Sequence, residues 1–190
     1  MALAVLGALN GVTPAFAGKA DNSVRVALTN VVPNVDPYFN NLFAGSIIAD
    51  AIWDTLVRRD PTTGALEPNL ATAWRWIDDR TLELTLREGV RFHNDEPFGA
   101  DDVVYTLSFA ADPSNRISQS EIGSWIDRVE KVGAFTVRIH TKTVYPAAVS
   151  MLAAAVIHPH AYYAAVGPKG MNEHPVGTGP FRVAEHTIGK

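Results

Sequence analysis

The chain has no cysteine among its 190 residues. That excludes disulfides, thiolate metal sites and a cysteine nucleophile. It also lacks a run of about 20 apolar residues, the length a membrane-spanning helix needs; the stretches Ala2–Leu9 and Ala147–Ile157 are too short. No Lys/Arg cluster occurs, and 16 basic against 20 acidic side chains leave a formal net charge of −4. The electrostatic footprint of a nucleic-acid binder is therefore missing. There is no G-x-S-x-G elbow, and Ser108, Ser118, Ser120, Ser124 and Ser150 stand in no recognisable nucleophile context. Gly177-Thr178-Gly179 is followed at once by Pro180, so it fails the dinucleotide fingerprint, which needs a helix there. Those glycines are expected instead to permit a sharp turn at positive φ.

What is present is ordinary globular composition, 47% hydrophobic and 19% charged. The length suits one domain or one and a half, with a real core. Ala2–Leu9 followed by Pro14-Ala15-Phe16-Ala17 reads as the apolar region and Ala-x-Ala cleavage site of a secretory signal over residues 1–17. A basic first region is missing from it, as expected if Met1 lies inside a longer signal.

Ser23–Thr29 alternates as a strand, with Val24, Val26 and Leu28 on one side. Pro33 and Pro37 keep Val32–Asn41 out of regular structure. A helix is expected from about Leu42 to Asp54 with Phe43, Ile47, Ile48 and Ala51 buried, and then a hairpin turning at Asp60–Gly64. Asp112-Pro113 stops a helix that begins near Ala100. Ile117–Ile126 is ambiguous between short helix and loop. Val129–Val132 and Phe135–His140 form another hairpin. Helices are expected from Pro146 to about Ala153 and from Pro159 onward, and Pro175–Val183 should turn into a strand.

The densest signal is Leu70–Leu107. Trp74, Trp76, Leu82, Leu84 and Leu86 alternate with polar neighbours across an Asp78-Asp79-Arg80 turn, the period of half-buried strands. The tryptophans Trp53, Trp74 and Trp76 are expected to pack in core or hairpin. Gly89, His93-Asn94-Asp95, Pro97 and Gly99 then break regularity, and Val103, Val104, Leu107 and Ala111 recur at helical spacing. This block resembles the signature of the bacterial extracellular solute-binding proteins of family 5, the peptide- and nickel-type receptors of ABC importers. HPVGTGPFRVAEH at His174–His186 and VVPNVDPYFN at Val31–Asn40 carry the same resemblance, which spans roughly Ser23–Lys190.

The resemblance implies an α/β fold of the periplasmic binding protein kind (type II, peptide-binding subclass), N-terminal lobe only, with mixed sheets and flanking helices. It implies a start of the main lobe over 18–45, a smaller subdomain over 46–172, and a return strand into the main lobe over 173–190, the rest of that lobe and the second lobe being absent. It further implies a monomer in the periplasm, capturing an oligopeptide or dipeptide and delivering it to ABC permease subunits of the inner membrane. A chain without cysteine is compatible with that compartment. No enzymatic role and no cofactor are implied. A binder of nickel chelates, opines or sugars with the same fold, and a secreted hydrolase or structural domain, are the alternatives.

Candidate residues follow from the same frame. Ligands of open α/β sheets sit on loops after strand ends, which points to Val31–Asn41. There Asn34 and Tyr38 offer hydrogen bonds to a peptide backbone, and Val35 and Phe39 offer apolar walls. Gln119 and Trp125 are the candidates for the facing side, by analogy with the family. His158-Pro159-His160 has too few neighbouring ligands for a metal site and reads as exposed imidazoles at a helix start. His93, Asn94, Asp95 and Glu96 read as turn chemistry rather than catalysis. Asp101 and Asp102 favour a helix N-terminus, with Gly99 as a tolerable cap.

Overall fold

A computed structural model describes residues 26–27 and 31–185. The expected signal at 1–17 and most of the strand at Ser23–Thr29 lie outside the described residues. Chain order is α1 (Phe43–Ile52), β1 (Val57–Arg59), β2 (Leu66–Pro68), β3 (Ala71–Asp78), β4 (Thr81–Leu86), α2 (Ala100–Ala111), β5 (Ile126–Gly133), β6 (Thr136–Thr141), α3 (Ala148–Met151) and α4 (His160–Glu173).

The period-2 pattern of β4 does what such a pattern should. Leu82, Leu84 and Leu86 all point to the core, and the strand sits inside a four-stranded antiparallel sheet ordered β3-β4-β6-β5. Leu82 pairs with Ile139 and Leu84 with Val137, all four fully buried. On the opposite face, register puts Arg75, Glu83, Arg138 and Glu130 side by side across the four strands. Glu83 accepts from Arg75 at 2.6 and 2.9 Å and from Arg138 at 2.9 Å. Those hydrogen bonds, Arg75's first and Arg138's second, hold its carboxyl below the usual glutamate range. Trp74 is half-buried, but Trp76 is 39% exposed at the edge of the sheet, less packed than its pattern suggests.

Helix α2 lies across β5 and β6 and buries Ala100, Val103, Leu107 and Ala110. Gly99 caps it in extended backbone, and its N–H donates to Asp102 Oδ2 at 2.8 Å. Asp102 does more than offset the helix dipole. It is buried and its other oxygen receives both the backbone N–H and Nδ1 of His160, at 2.9 and 2.8 Å.

Several expectations change once distant partners are visible. Helix α1 buries its small residues Ala44, Gly45 and Ala49 with Ile52, while Phe43 is 81% exposed and Ile47 is also exposed. The reason is close approach: a side chain on Gly45 would run into Asn40. Pro37–Phe39 forms a single 3-10 turn in a loop expected to be wholly irregular. Residues 113–115 and 120–122 make two more, which settles the ambiguous stretch.

No strand occurs over 175–185. The segment instead tops the end of α1: Gly179 N donates to Ile52 O at 2.8 Å and Phe181 N to Ala51 O at 3.0 Å, satisfying carbonyls that a helix end leaves open. Neither Gly177 nor Gly179 has positive φ. They are needed because a Cβ would lie 2.1 and 2.6 Å from the backbone of Ile52. His93 staples the same segment, taking the Gly177 N–H on Nδ1 at 3.3 Å and giving Nε2–H to Gly179 O at 2.9 Å. Asn94 and Asp95 do form the turn beside it, Asp95 at φ 68°.

Candidate functional site

A cleft of about 620 Å³ opens where three segments meet. The loop before α1 supplies Pro37, Asn40 and Asn41, the 118–121 stretch supplies Ser118, Gln119 and Glu121, and the turn after α3 supplies Ala153, Ala154 and Val156. Helix α1 closes one side with Leu42, Phe43, Ser46, Ala49 and Asp50, spaced so that all lie on one face. Phe43 is the one residue of that face that the apolar pattern assigned to the core. It instead forms an exposed apolar wall of the cleft.

The segments are cross-linked by hydrogen bonds. Gln119 Nε2 donates to Pro37 O and Asn40 O, both at 3.3 Å, and Ser118 N donates to Tyr38 O at 2.7 Å. Thr55 pairs with Val156 in an isolated antiparallel bridge, and Ile157 N donates to Asp54 O at 3.2 Å. The lining is neutral or acidic: Asp50 and Glu121 are its charged members, with no Lys, Arg or His. Burial raises the Asp50 carboxyl above the usual aspartate range. A second cavity of about 370 Å³ lies between His93-Asn94 and residues 173–185. It has no side chain in common with the three-segment cleft.

Of the six candidate residues, Gln119 lines the cleft. Val35, Tyr38 and Trp125 are in the core, at 3%, 1% and 6% exposure. Tyr38 spends its hydroxyl on Val156 O at 2.8 Å, and Trp125 spends its indole N–H on Ile122 O at 2.8 Å while stacking on Tyr145. Asn34 Oδ1 accepts the Asp36 N–H at 2.9 Å, and Phe39 packs edge-on against Phe109. These five shape and support the rim from behind. Asn41, Ser46, Asp50 and Glu121 were missed in sequence. The polar i, i+4 pair Ser46 and Asp50 was the available signal for a second, non-core face of α1.

His158 also departs from expectation. It is 2% exposed rather than displayed at a helix start, with Nε2 3.3 Å from Asp36 Oδ1. Burial follows from three rings around it, Tyr163 stacked at 4.7 Å and Tyr38 and Trp53 edge-on. No group of three or more His, Asp or Glu able to hold a metal occurs among the described residues. No helix among them is long and apolar enough to cross a membrane.

The family model described as bacterial extracellular solute-binding proteins, family 5 Middle, matches residues 65–190. The glutathione-binding protein GsiB of Pectobacterium atrosepticum is 31% identical over 177 residues, covering 90% of this chain and 34% of that protein. Among solved structures, MoaA of A. tumefacien R10 in complex with mannopinic acid superposes with a TM-score of 0.76 at 28% identity, over 84% of this chain and 34% of the other. A dipeptide-binding protein from pseudoalteromonas sp. SM9913, in complex with Met-Leu, gives 0.73 at 26%, over 84% and 36%. The chain thus spans about a third of the length of the relatives it matches. Its mixed α/β architecture is that of periplasmic binding proteins of the peptide and nickel type. With its matched region covering residues 65–190, this chain belongs to the bacterial extracellular solute-binding proteins of family 5.

Proposed function

We propose that this chain supplies one wall of the ligand cleft in the solute-binding component of an ABC importer, and that the ligand is a short peptide. The observation that carries the reading is the 620 Å³ cleft, whose rim offers amide, hydroxyl and carboxylate groups beside the apolar wall of Phe43. Such a lining suits a backbone of alternating donors and acceptors with undemanding side-chain pockets. Its two carboxylates, with no basic residue facing them, favour a ligand that presents an ammonium group.

The remaining assignments rest on family membership. Residues 18–45 begin the main lobe, 46–172 form its smaller subdomain, and the chain returns to the main lobe over 173–190. The whole protein works as a periplasmic monomer, directed there by its signal. Two lobes close on the ligand by hinge motion, without covalent chemistry, and present it to the permease. A second reading, an opine binder, is favoured by the likeness to MoaA, solved with mannopinic acid, at a TM-score of 0.76. An anionic opine would meet Asp50 and Glu121 unfavourably.

Calorimetric titration of the whole protein with di- to pentapeptides, glutathione and mannopinic acid tests these readings. Peptide binding is expected. No heat from any peptide sinks the peptide reading, and heat from mannopinic acid alone installs the second.

A further inference from the structure

Directly beneath the cleft rim lies a buried polar cluster that lines no part of the cleft. Asp36 is 0% exposed, Tyr38 and Tyr163 are each 1%, and His158 is 2%. Asp36 Oδ1 accepts the Tyr38 N–H at 3.0 Å and His158 Nε2–H at 3.3 Å, and Oδ2 accepts the Tyr163 hydroxyl at 2.9 Å. A carboxylate can only accept, so Nε2 is the protonated nitrogen of His158. Its Nδ1 is buried and finds no hydrogen-bond partner among the described residues. Burial and the neighbouring Asp36 push the Tyr163 hydroxyl far above the usual tyrosine range, which keeps it a donor.

Apolar side chains would fill such a volume at lower cost, because buried polar groups must all be matched. The cluster therefore invites a reason, and the connectivity supplies one. Asp36 joins positions 122 and 127 residues away in sequence. Its neighbour Val35 is held the same way, its N–H donating to Asn172 Oδ1 at 2.8 Å. The rim itself has only a three-residue turn of regular structure, and Asp36 is the cap of that turn. The Asp36 side chain holds Tyr38 N–H and its carbonyl holds Phe39 N–H at 3.0 Å. The carbonyls of Pro37 and Asn40, on either side of those amides, are the two acceptors that orient Gln119 in the cleft.

We propose that Asp36, braced by His158 and Tyr163, is a positioning residue for ligand binding: it sets the geometry of the 37–41 rim and, through it, of Gln119, without touching ligand. The proposal rests on the cleft being the ligand site. Its consequences for the rim hold whether or not that ligand is a peptide.

The test compares Asp36→Ala, Asp36→Asn and Tyr163→Phe in the whole protein, with Val103→Ala as a core control away from the rim. Two quantities are read: amide hydrogen exchange at Tyr38, Phe39 and Leu42, and calorimetric affinity for trialanine as the peptide probe. Asp36→Ala is expected to speed exchange at the rim and to raise the trialanine Kd, each by about tenfold, because a preorganised rim becomes one that must be ordered on binding. Amides of β4 and β6 should keep their protection. Asp36→Asn retains an oxygen for the Tyr38 N–H and should restore most of both losses. Tyr163→Phe, which removes one hydroxyl and folds even if Asp36→Ala does not, should give a smaller change of the same kind. Rim exchange and affinity unchanged in both Asp36→Ala and Tyr163→Phe would overturn the proposal, as would equal changes in Val103→Ala. If the wild-type protein binds no trialanine, the peptide reading fails, and the exchange comparison alone decides the role of Asp36.

Discussion

The four-stranded sheet with α2 and the cleft rim are neighbours in one fold, yet they are held together by different forces. The sheet rests on apolar burial and ladder hydrogen bonds: Leu82, Leu84, Val137 and Ile139 are all 0% exposed and cross-strand paired. The rim rests on directed polar contacts, Asp36 to His158 and Tyr163 and Gln119 to Pro37 and Asn40. Non-directional burial makes a scaffold that tolerates many side chains of similar volume. Directed bonds fix geometry closely but fail one at a time. A binding protein needs the second kind where ligand is met and the first kind behind it.

The largest expected effect breaks the scaffold. Leu84→Ala leaves a cavity between β4 and β6 and should cost ~2–5 kcal/mol of folding stability, measured by urea unfolding. Rim exchange in the molecules still folded should be unchanged. Next is Gly177→Ala, whose Cβ would sit 2.1 Å from Ile52 O. Forced displacement of the segment from α1 should cost ~1–3 kcal/mol, again by urea unfolding, and should raise exchange at Gly179 and Phe181.

How much of this contrast was legible beforehand follows from the same division. β4 and α2 declared themselves because Leu82, Leu84 and Leu86, or Val103 and Leu107, repeat at the period of their own element. The hairpin turn at Asp60–Gly64 declared itself by local chemistry, its Asp60 carboxylate accepting from the N–H groups of Thr62 and Thr63. The rim did not. Whether His158 is buried depends on Asp36, and whether Gly177 is a turn or a close contact depends on Ile52, partners more than 120 residues apart. Helix α1 misled for a related reason. Two of its faces are apolar, and only contact with Asn40 at Gly45 shows which one the core takes.

Tyr163→Phe sharpens the comparison from the other side. Loss of one hydroxyl from the buried Asp36 cluster should cost ~1–2 kcal/mol of stability, seen as a lower Tm, with the exchange increase concentrated in the rim. The smallest effect is electrostatic and belongs to the sheet. Glu83 is held below its ordinary value of 4.5, so its folded pKa lies beneath its unfolded one. Its contribution is then present above about pH 4.5 and lost as pH falls through the lower folded value. A Tm-against-pH profile should fall less steeply in Glu83→Gln than in wild type below that point. Asp60, Asp78 and Asp112, lowered in the same direction by turn hydrogen bonds, add slope of the same sign.

Amide hydrogen exchange of the whole protein with and without saturating trialanine tests the central claim, that the three-segment cleft is the ligand wall. Protection gained at residues 37–46 and 118–121, with β3–β6 unaltered, is the predicted result. Binding that leaves those residues unchanged, or that protects His93-Asn94 and residues 173–185 in their place, would contradict it.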